Sequence, residues 1–179
     1  MNSDEFVMKL SASSPSIESL REVGLNTKEA EAFRAGFICL PRNNALPLIA
    51  SNEILELANR WDVSRVEVGM VRLLGTPTHH SSGIQIGLVE ADPLVITKTG
   101  SELVVEEVES AGHILWKTAR SPGKFLDALG VAAKFFSDRT IGIIDFDDLE
   151  AVKATANKCA TLAGGDEYAE FYSMLLGVE

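Results

Sequence analysis

Between Gly83 and Thr118 the chain reads GIQIGLVEADPLVITKTGSELVVEEVESAGHILWKT. Four apolar, strand-like segments occur here, separated by short polar turns at 90–93, 99–100 and 109–112. Short turns force neighbouring strands to run antiparallel, because a parallel return needs a crossover of about a dozen residues. The stretch therefore predicts an antiparallel meander with strands near 84–89, 94–98, 102–108 and 113–118.

One more strand is predicted before the meander. Apolar and polar residues alternate acceptably over 66–74, whereas 75–83, with a proline and two histidines, is typical of a loop. The sheet would then have about five strands. Within the strand after this loop, Ile84, Ile86 and Leu88 are expected on one face, since alternate residues of a strand point the same way.

Helices are predicted before the sheet at 16–23 and at 27–37, the second with Thr27 as its N-cap. The segment 46–59 is ambiguous, because its apolar residues fit a helix at 53–60 while Leu48-Ile49 fits an edge strand equally well. An irregular connection marked by Pro41 and Pro47 leads into this segment.

Helices also follow the sheet. Ser121-Pro122 begins one, because serine caps free amide groups and proline at the first helical position lacks only a donor that would have no partner there. Asp145 is the expected cap of the next helix, whose apolar stripe includes Phe146 and Leu149 and which ends near Gly164. A last helix is expected over 166–176. The predicted fold class is α+β, with N-terminal and C-terminal helices packed on one side of an antiparallel meander.

The length of 179 residues suits one domain with a substantial core. Residues 1–16 are polar and rich in serine, which predicts a flexible N-terminal arm. Residues 17–179 are then expected to form a single α+β domain, with 145–179 as a C-terminal helical extension.

Composition and the chain start predict a cytoplasmic protein. No run approaches the roughly 18 to 20 apolar residues of a membrane span. The first five residues include two acidic ones where a secretory signal needs positive charge. Cys39 and Cys159 each lie in an apolar stretch, without paired or metal-type spacing, and are expected to be buried thiols.

The net charge is −10, from 26 acidic and 16 basic residues, which disfavours nucleic acid and anionic membranes as partners. Six acidic residues occur between 84 and 109 against Lys98 alone. They could serve only solubility, or they could form an acidic face for a basic partner, because complementary charge accelerates encounter. The candidate partner-binding residues are Glu90, Asp92, Glu102, Glu106, Glu107 and Glu109.

Catalytic motifs are absent from the sequence: there is no Gly-rich phosphate loop, zinc-spaced cluster, nucleophile elbow or dinucleotide fingerprint. His79 and His80 are adjacent, so their side chains should diverge, and they are interpreted as exposed loop histidines. The acidic run at 145–150 lacks the spacing of a calcium loop and is explained by helix capping. No catalytic, metal or cofactor-binding residue is assigned.

A family resemblance rests on three local features. These are the strand pair around 84–87 and 92–95, the Thr99-Gly100 turn into Val104-Val105, and the Ser-Pro-x-x-Phe-Leu helix start at 121–126. Their order resembles the SUKH superfamily, an α+β family that includes bacterial toxin-immunity proteins and fungal cell-wall regulators. The resemblance implies a non-enzymatic binding module, in bacteria an immunity protein that blocks a toxin, and the acidic surface would suit a basic toxin.

The leading interpretation is a cytoplasmic protein-binding module without a cofactor, which neutralises or regulates a protein partner. One alternative is a small metal-assisted hydrolase that uses carboxylates with His79, His80 or His113. Another is a subunit of a larger assembly, a homodimer included, that docks through the last helix with Phe171, Tyr172 and Leu175.

Overall fold

The computed structural model describes residues 1–44, 46, 51–98, 101–110 and 112–178. The chain is α+β, as predicted, with helices at both termini around an antiparallel sheet. In chain order the elements are α1 (Ser3–Ser13), α2 (Ile17–Glu22), α3 (Thr27–Ala35), β1 (Leu40–Pro41), α4 (Glu53–Arg60), β2 (Trp61–Asp62), β3 (Glu67–Val68), β4 (Val71–His80), β5 (Gly83–Val89), β6 (Asp92–Thr97), β7 (Leu103–Glu106), β8 (Ile114–Ala119), α5 (Pro122–Thr140), α6 (Leu149–Ala163), a 3-10 turn (Asp166–Tyr168) and α7 (Ala169–Leu176).

The main sheet contains six strands in sequence order, β3 to β8, and every neighbouring pair is antiparallel. The predicted meander is thus confirmed from β5 to β8. Strands β1 and β2 form a separate two-stranded antiparallel pair.

The predicted strand at 66–74 and the predicted loop at 75–83 are both wrong. Strands β3 and β4 meet in a tight turn at Gly69, whose φ of +57° is left-handed, and Val68 pairs with Val71 across it. Strand β4 then continues to His80, because a register shift between Leu73 and Thr78 absorbs the irregular residues and pairing with β5 resumes beyond them. A bulged strand of this kind lacks a simple alternation of apolar and polar residues.

A second register shift changes the faces of β5. The pairing partners of β5 shift between Gln85 and Gly87, so Ile86 is the extra residue of a bulge. Ile86 and Val89 are buried, whereas Ile84 and Leu88 are only half-buried. The predicted single face for alternate residues of this strand is therefore wrong.

Both faces of the sheet are buried at its centre. Strands β6 and β7 place one set of alternate residues on the face that carries the main hydrophobic core, and Val95 and Val104 on the other. On that other face, His80 Nδ1 of β4 lies 3.7 Å from Glu106 Oε2 of β7. Two strands separate β4 from β7, so this contact lies inside a strongly curled sheet.

Helix α5 crosses the core face from one edge of the sheet to the other. It starts at Ser121, directly after β8, and the Ser121 hydroxyl accepts a hydrogen bond from the Lys124 amide, as the sequence predicts. Near its other end, Phe136 packs on the β3–β4 turn: a Cβ placed on Gly69 would lie 2.8 Å from the Phe136 ring. Nineteen residues extend about 28 Å, enough to span six strands about 4.8 Å apart.

Local signals placed most other helix boundaries correctly. The predicted helix at 53–60 is α4, with Asn52 as its N-cap. Two predicted N-caps are wrong. Asn26 caps α3, one residue before the predicted Thr27, and Asp148 caps α6, three residues after the predicted Asp145. In both cases the side chain of the observed cap accepts an amide hydrogen bond, and Asp145 accepts one within the preceding turn instead.

Three predicted features lie outside the described residues. They are the alternative edge strand at Leu48-Ile49, the Pro47 position of the irregular connection, and the Thr99-Gly100 turn. In the part that the structure describes, no helix is long and apolar enough to cross a membrane.

The prediction of a loose N-terminal arm is wrong. Residues 3–13 form helix α1, which begins with a capping box between Asn2 and Glu5. Phe6 and Leu10, four residues apart on one face, are fully buried. The terminal amine also contacts Asp127 of α5 at 3.1 Å. Two apolar residues at helical spacing are enough to dock a segment that is otherwise polar.

The C-terminal helices belong to the same hydrophobic core cluster as the sheet and α5. Phe171, Tyr172 and Leu175 of α7 are buried, and the Tyr172 hydroxyl donates a hydrogen bond to the Thr118 carbonyl of β8 at 3.0 Å. These side chains therefore support the chain's own core, and the predicted docking face on the last helix is wrong.

Both cysteines are free and buried. Burial raises the pKa of Cys159 to about 12, and burial together with the nearby Asp62 charge raises the pKa of Cys39 to about 12. The thiolate is the reactive form, so little of either thiol is reactive near neutral pH.

We expect iodoacetamide at pH 8 to label neither Cys39 nor Cys159 in the folded protein and to label both after unfolding in guanidinium. A free cysteine with an ordinary pKa near 8.5 would react readily at this pH, and it provides the reference rate. Stoichiometric labelling of either thiol in the native protein, measured by intact mass, would contradict the assigned burial.

We predict that Phe6→Ala lowers the free energy of unfolding by about 3 to 5 kcal/mol, because it leaves a cavity in the core under α1. The matched control is Met8→Ala on the same helix, where the side chain is 73% exposed and the change should stay within about 0.5 kcal/mol. Urea unfolding measures both variants. Equal midpoints for Phe6→Ala and wild type would show that α1 is not docked.

Candidate protein-binding surface

The strand register separates the six predicted acidic residues into two ends of the sheet. Leu94 of β6 pairs with Val105 of β7, and Ile96 pairs with Leu103. Glu102 therefore precedes β7 at one end, and Glu106 closes it at the other. The remaining four residues lie at the Glu106 end: Glu90 in the β5–β6 turn, Asp92 at the start of β6, and Glu107 and Glu109 in the β7–β8 turn. The candidates do not form one continuous edge.

Glu106 is a structural residue, not a surface one. Only 2% of it is exposed, on the face inside the curl of the sheet. Its Oε2 accepts a hydrogen bond from the Gly112 amide at 3.0 Å, which fixes the β7–β8 turn. Its predicted role as a partner-binding residue is wrong, since alternation along β7 turns its side chain inward while Glu107 beyond it stays accessible.

Glu102 is engaged within the chain at the other end of the sheet. Its carboxylate lies 3.1 Å from Lys117 Nζ of β8 and accepts a hydrogen bond from the Tyr168 hydroxyl at 3.4 Å. The hydrogen bond from Lys117 to Glu102 raises the pKa of that lysine. Glu102 therefore contributes little uncompensated charge to the surface.

The remaining four residues form what we call the acidic end: Glu90, Asp92, Glu107 and Glu109. Glu90 and Glu109 are exposed, and Asp92 and Glu107 are half-buried. Among the ion pairs of the described residues, the acidic end takes part in only one, between Glu107 and His113 Nδ1 at 3.1 Å. Within the described residues, no lysine or arginine forms an ion pair with this end of the sheet, which therefore presents negative charge.

Backbone contacts tie three turns together beneath the acidic end. The Glu90 amide donates a hydrogen bond to the Met70 carbonyl of the β3–β4 turn at 2.9 Å. The Val108 amide donates one to Asp92 Oδ1 at 3.0 Å, which joins the β5–β6 and β7–β8 turns. Glu90 also adopts a left-handed φ of 54°, which is uncommon for a residue other than glycine. The carboxylates are thus held on a fixed support.

Hydrogen bonding by the Ser110 side chain, followed by that of His113, holds the pKa of Glu107 below its usual value. Glu107 is therefore charged at neutral pH, and it stays charged at a lower pH than a glutamate with the usual pKa does. Two exposed apolar side chains, Val108 and Ile114, lie in the same turn region. The acidic end thus combines carboxylates with apolar area, a composition suited to a protein partner.

The two histidines of β4 do not form a Ser-His-acid triad with their neighbours. His79 and His80 lie on strand β4, not in a loop as predicted, and adjacent strand residues point to opposite faces. His80 Nδ1 contacts both the Ser82 hydroxyl at 2.9 Å and Glu106 at 3.7 Å. A Ser-His-acid triad needs the acid and the serine on different ring nitrogens, so this trio has the wrong geometry.

Among the residues that the structure describes, no group of three or more histidine, cysteine, aspartate or glutamate residues could hold a metal ion. The geometry of the described histidines and carboxylates therefore gives no specific support to the metal-assisted hydrolase.

Sequence reasoning missed a second exposed surface, where α5 connects to α6. Phe146 and Leu149 were predicted to continue the buried stripe of α6, but both are exposed, as is Ile143. The stripe is buried only from Val152 onward. The acidic residues that interrupt 143–150 could have indicated this, because a buried turn rarely carries four carboxylates.

An apolar groove of about 630 Å³ runs between α3, the β3–β4 turn and the end of α5. Phe33, Phe37, Val68 and Phe136 contribute its apolar walls, and Arg65 also lines it. The groove includes Gly69 of the β3–β4 turn, in which the Met70 carbonyl accepts the hydrogen bond from the Glu90 amide.

No family model, curated protein or solved structure matches the chain. What the protein does must therefore be inferred from its surfaces.

Charge-reversal variants should differ in stability between the buried Glu106 and the exposed Glu109. We predict that Glu106→Lys lowers the free energy of unfolding by about 3 kcal/mol or more, because it places an unpaired charge inside the sheet. Glu109→Lys, at an exposed site, should change it by less than about 0.5 kcal/mol. Thermal and urea unfolding measure both. Equal effects of the two reversals would show that Glu106 is not buried as described.

Proposed function

We propose that the protein is a non-enzymatic binding module that neutralises or regulates a basic protein partner, in the manner of an immunity protein. The observation that carries this proposal is the acidic end, four carboxylates held on three tied turns with one histidine as their only ion-pair partner among the described residues. The apolar area of Val108 and Ile114 beside them supplies contact surface.

Electrostatics supports a partner of opposite charge. The whole chain carries a net charge of −10, so its long-range field attracts basic molecules and repels phosphate backbones. Charge complementarity mainly accelerates encounter and rejects wrong partners, whereas the apolar contacts slow dissociation. A basic toxin or regulator fits both requirements.

Rigidity supports recognition by a preformed surface. The hydrogen bonds from Glu90 to Met70 and from Val108 to Asp92 fix the turns before a partner arrives. Binding then costs less conformational entropy than it would on unsupported loops. This is the behaviour expected of an inhibitor that must bind a toxin tightly.

The test is a pull-down with the purified protein as bait in lysate of its own source cells, with mass spectrometry of the bound proteins. We expect a basic protein to be captured at about 0.01 M salt and to be lost or weakened at about 1 M, where the screening length falls from about 30 Å to about 3 Å. No capture at either salt concentration would contradict the proposal.

A matched pair of double variants locates the contact. Glu107→Lys with Glu109→Lys should slow association with the captured partner by about tenfold or more at low salt. Glu18→Lys with Glu22→Lys makes the same change in net charge at exposed positions on α2 and should slow it much less. Equal effects of the two pairs would show that net charge, and not the acidic end, governs binding.

A further inference from the structure

Three large apolar side chains are exposed where α5 connects to α6. Ile143 is 67% exposed, Phe146 65% and Leu149 61%. We call these three residues the apolar loop. Single exposed apolar residues are common on soluble proteins, but three within seven positions of one connection are not explained by chance exposure alone.

The apolar loop is held in a defined conformation. The guanidinium of Arg139 lies 4.6 Å from the centroid of the Phe146 ring, and its Nη2 donates a hydrogen bond to the Phe146 carbonyl at 2.6 Å. The Ile143 amide donates to the Asp138 carbonyl at 2.9 Å. Phe146 is therefore an exposed aromatic ring on a supported backbone, and it would lose little conformational freedom on binding.

The apolar loop follows the end of α5 that packs on the β3–β4 turn. Phe136, one turn before the end of α5, packs against Gly69 in the β3–β4 turn. The next residue of that turn, Met70, accepts the hydrogen bond from the amide of Glu90. Thr140, the last residue of α5, lines the same groove as Gly69, and the connection that carries the apolar loop follows it directly. The acidic end and the start of this connection therefore both lie at the β3–β4 turn.

Charge defines what the apolar loop can contact. Four exposed carboxylates lie between or directly after its three apolar residues in the sequence: Asp145, Asp147, Asp148 and Glu150. A partner surface that covers this loop must supply apolar contact for the ring and positive charge for its rim. A second copy of this chain carries the same negative charge and does not provide that complement.

We propose that Phe146 is the apolar anchor of the same interface: it enters an apolar pocket, rimmed by lysine and arginine, on the basic partner that the acidic end attracts. This inference rests on the proposed function and assigns a different step of binding to each surface. The acidic end governs the rate of association, and the apolar loop governs the rate of dissociation, since aromatic anchors dominate binding energy at interfaces.

The experiment repeats the capture from source-cell lysate with wild type and with Phe146→Ser as baits, and then measures the affinity of each for the purified partner. We expect Phe146→Ser to weaken binding by at least about tenfold, mainly through faster dissociation. The factor should be similar at low and at high salt, because burial of apolar surface is not screened.

Two further variants make the result decisive. Leu149→Ser removes apolar area and leaves the Arg139–Phe146 contact in place. Thermal unfolding shows whether Phe146→Ser disturbs the loop. If it does, the affinity of Leu149→Ser tests the inference instead. Met8→Ser, at a residue of α1 that is 73% exposed, is the matched control and should bind as wild type does.

The outcomes separate the two proposals. No capture of a basic protein by wild type overturns the proposed function and this inference with it. Capture by wild type together with unchanged affinity of both Phe146→Ser and Leu149→Ser overturns the inference alone and leaves the acidic end as the binding surface. Loss of affinity in the loop variants, but not in Met8→Ser, supports the inference.

Discussion

The packing of α5 across the sheet is the constraint on which the rest of the structure depends. Ala128, Ala132 and Ala133 of α5 are fully buried, and Cys159 Sγ of α6 lies 3.5 Å from the Ala128 carbonyl, so small side chains on α5 allow close packing of its neighbours. Phe136 fixes the far end of the helix against the β3–β4 turn. The same crossing brings the end of α5, from which the α5–α6 connection leaves, to the β3–β4 turn that accepts the hydrogen bond from the Glu90 amide.

Because the sheet is curled, the adjacent acidic residues Glu106 and Glu107 have different roles. Glu106 turns into the curl and fixes the β7–β8 turn through the Gly112 amide, while Glu107 stays accessible beside His113. A carboxylate that supports the turn and another that faces solvent therefore lie one residue apart. The negative charge available to a partner depends on this division as much as on the net charge of the chain.

Signals that act over a few residues were predictable from the sequence. The strands of the meander, the Ser121-Pro122 helix start and the helix at 53–60 all follow from local chemistry and agree with the structure. The larger failures depend on distant partners. The bulge in β4 is stabilised by pairing with β5, and the docking of Phe6 requires the core built by later residues. For the site, composition pointed to the acidic region but could not show the burial of Glu106 or the exposure of Phe146.

We propose that the acidic end and the apolar loop form one binding surface. Hydrogen exchange of the protein alone and in complex with its captured partner tests this most directly. We predict slower exchange on binding in three segments: the β5–β6 turn, the β7–β8 turn and the connection between α5 and α6. Protection confined to α1, α2 or the β4–β5 turn, with these three segments unchanged, would contradict it.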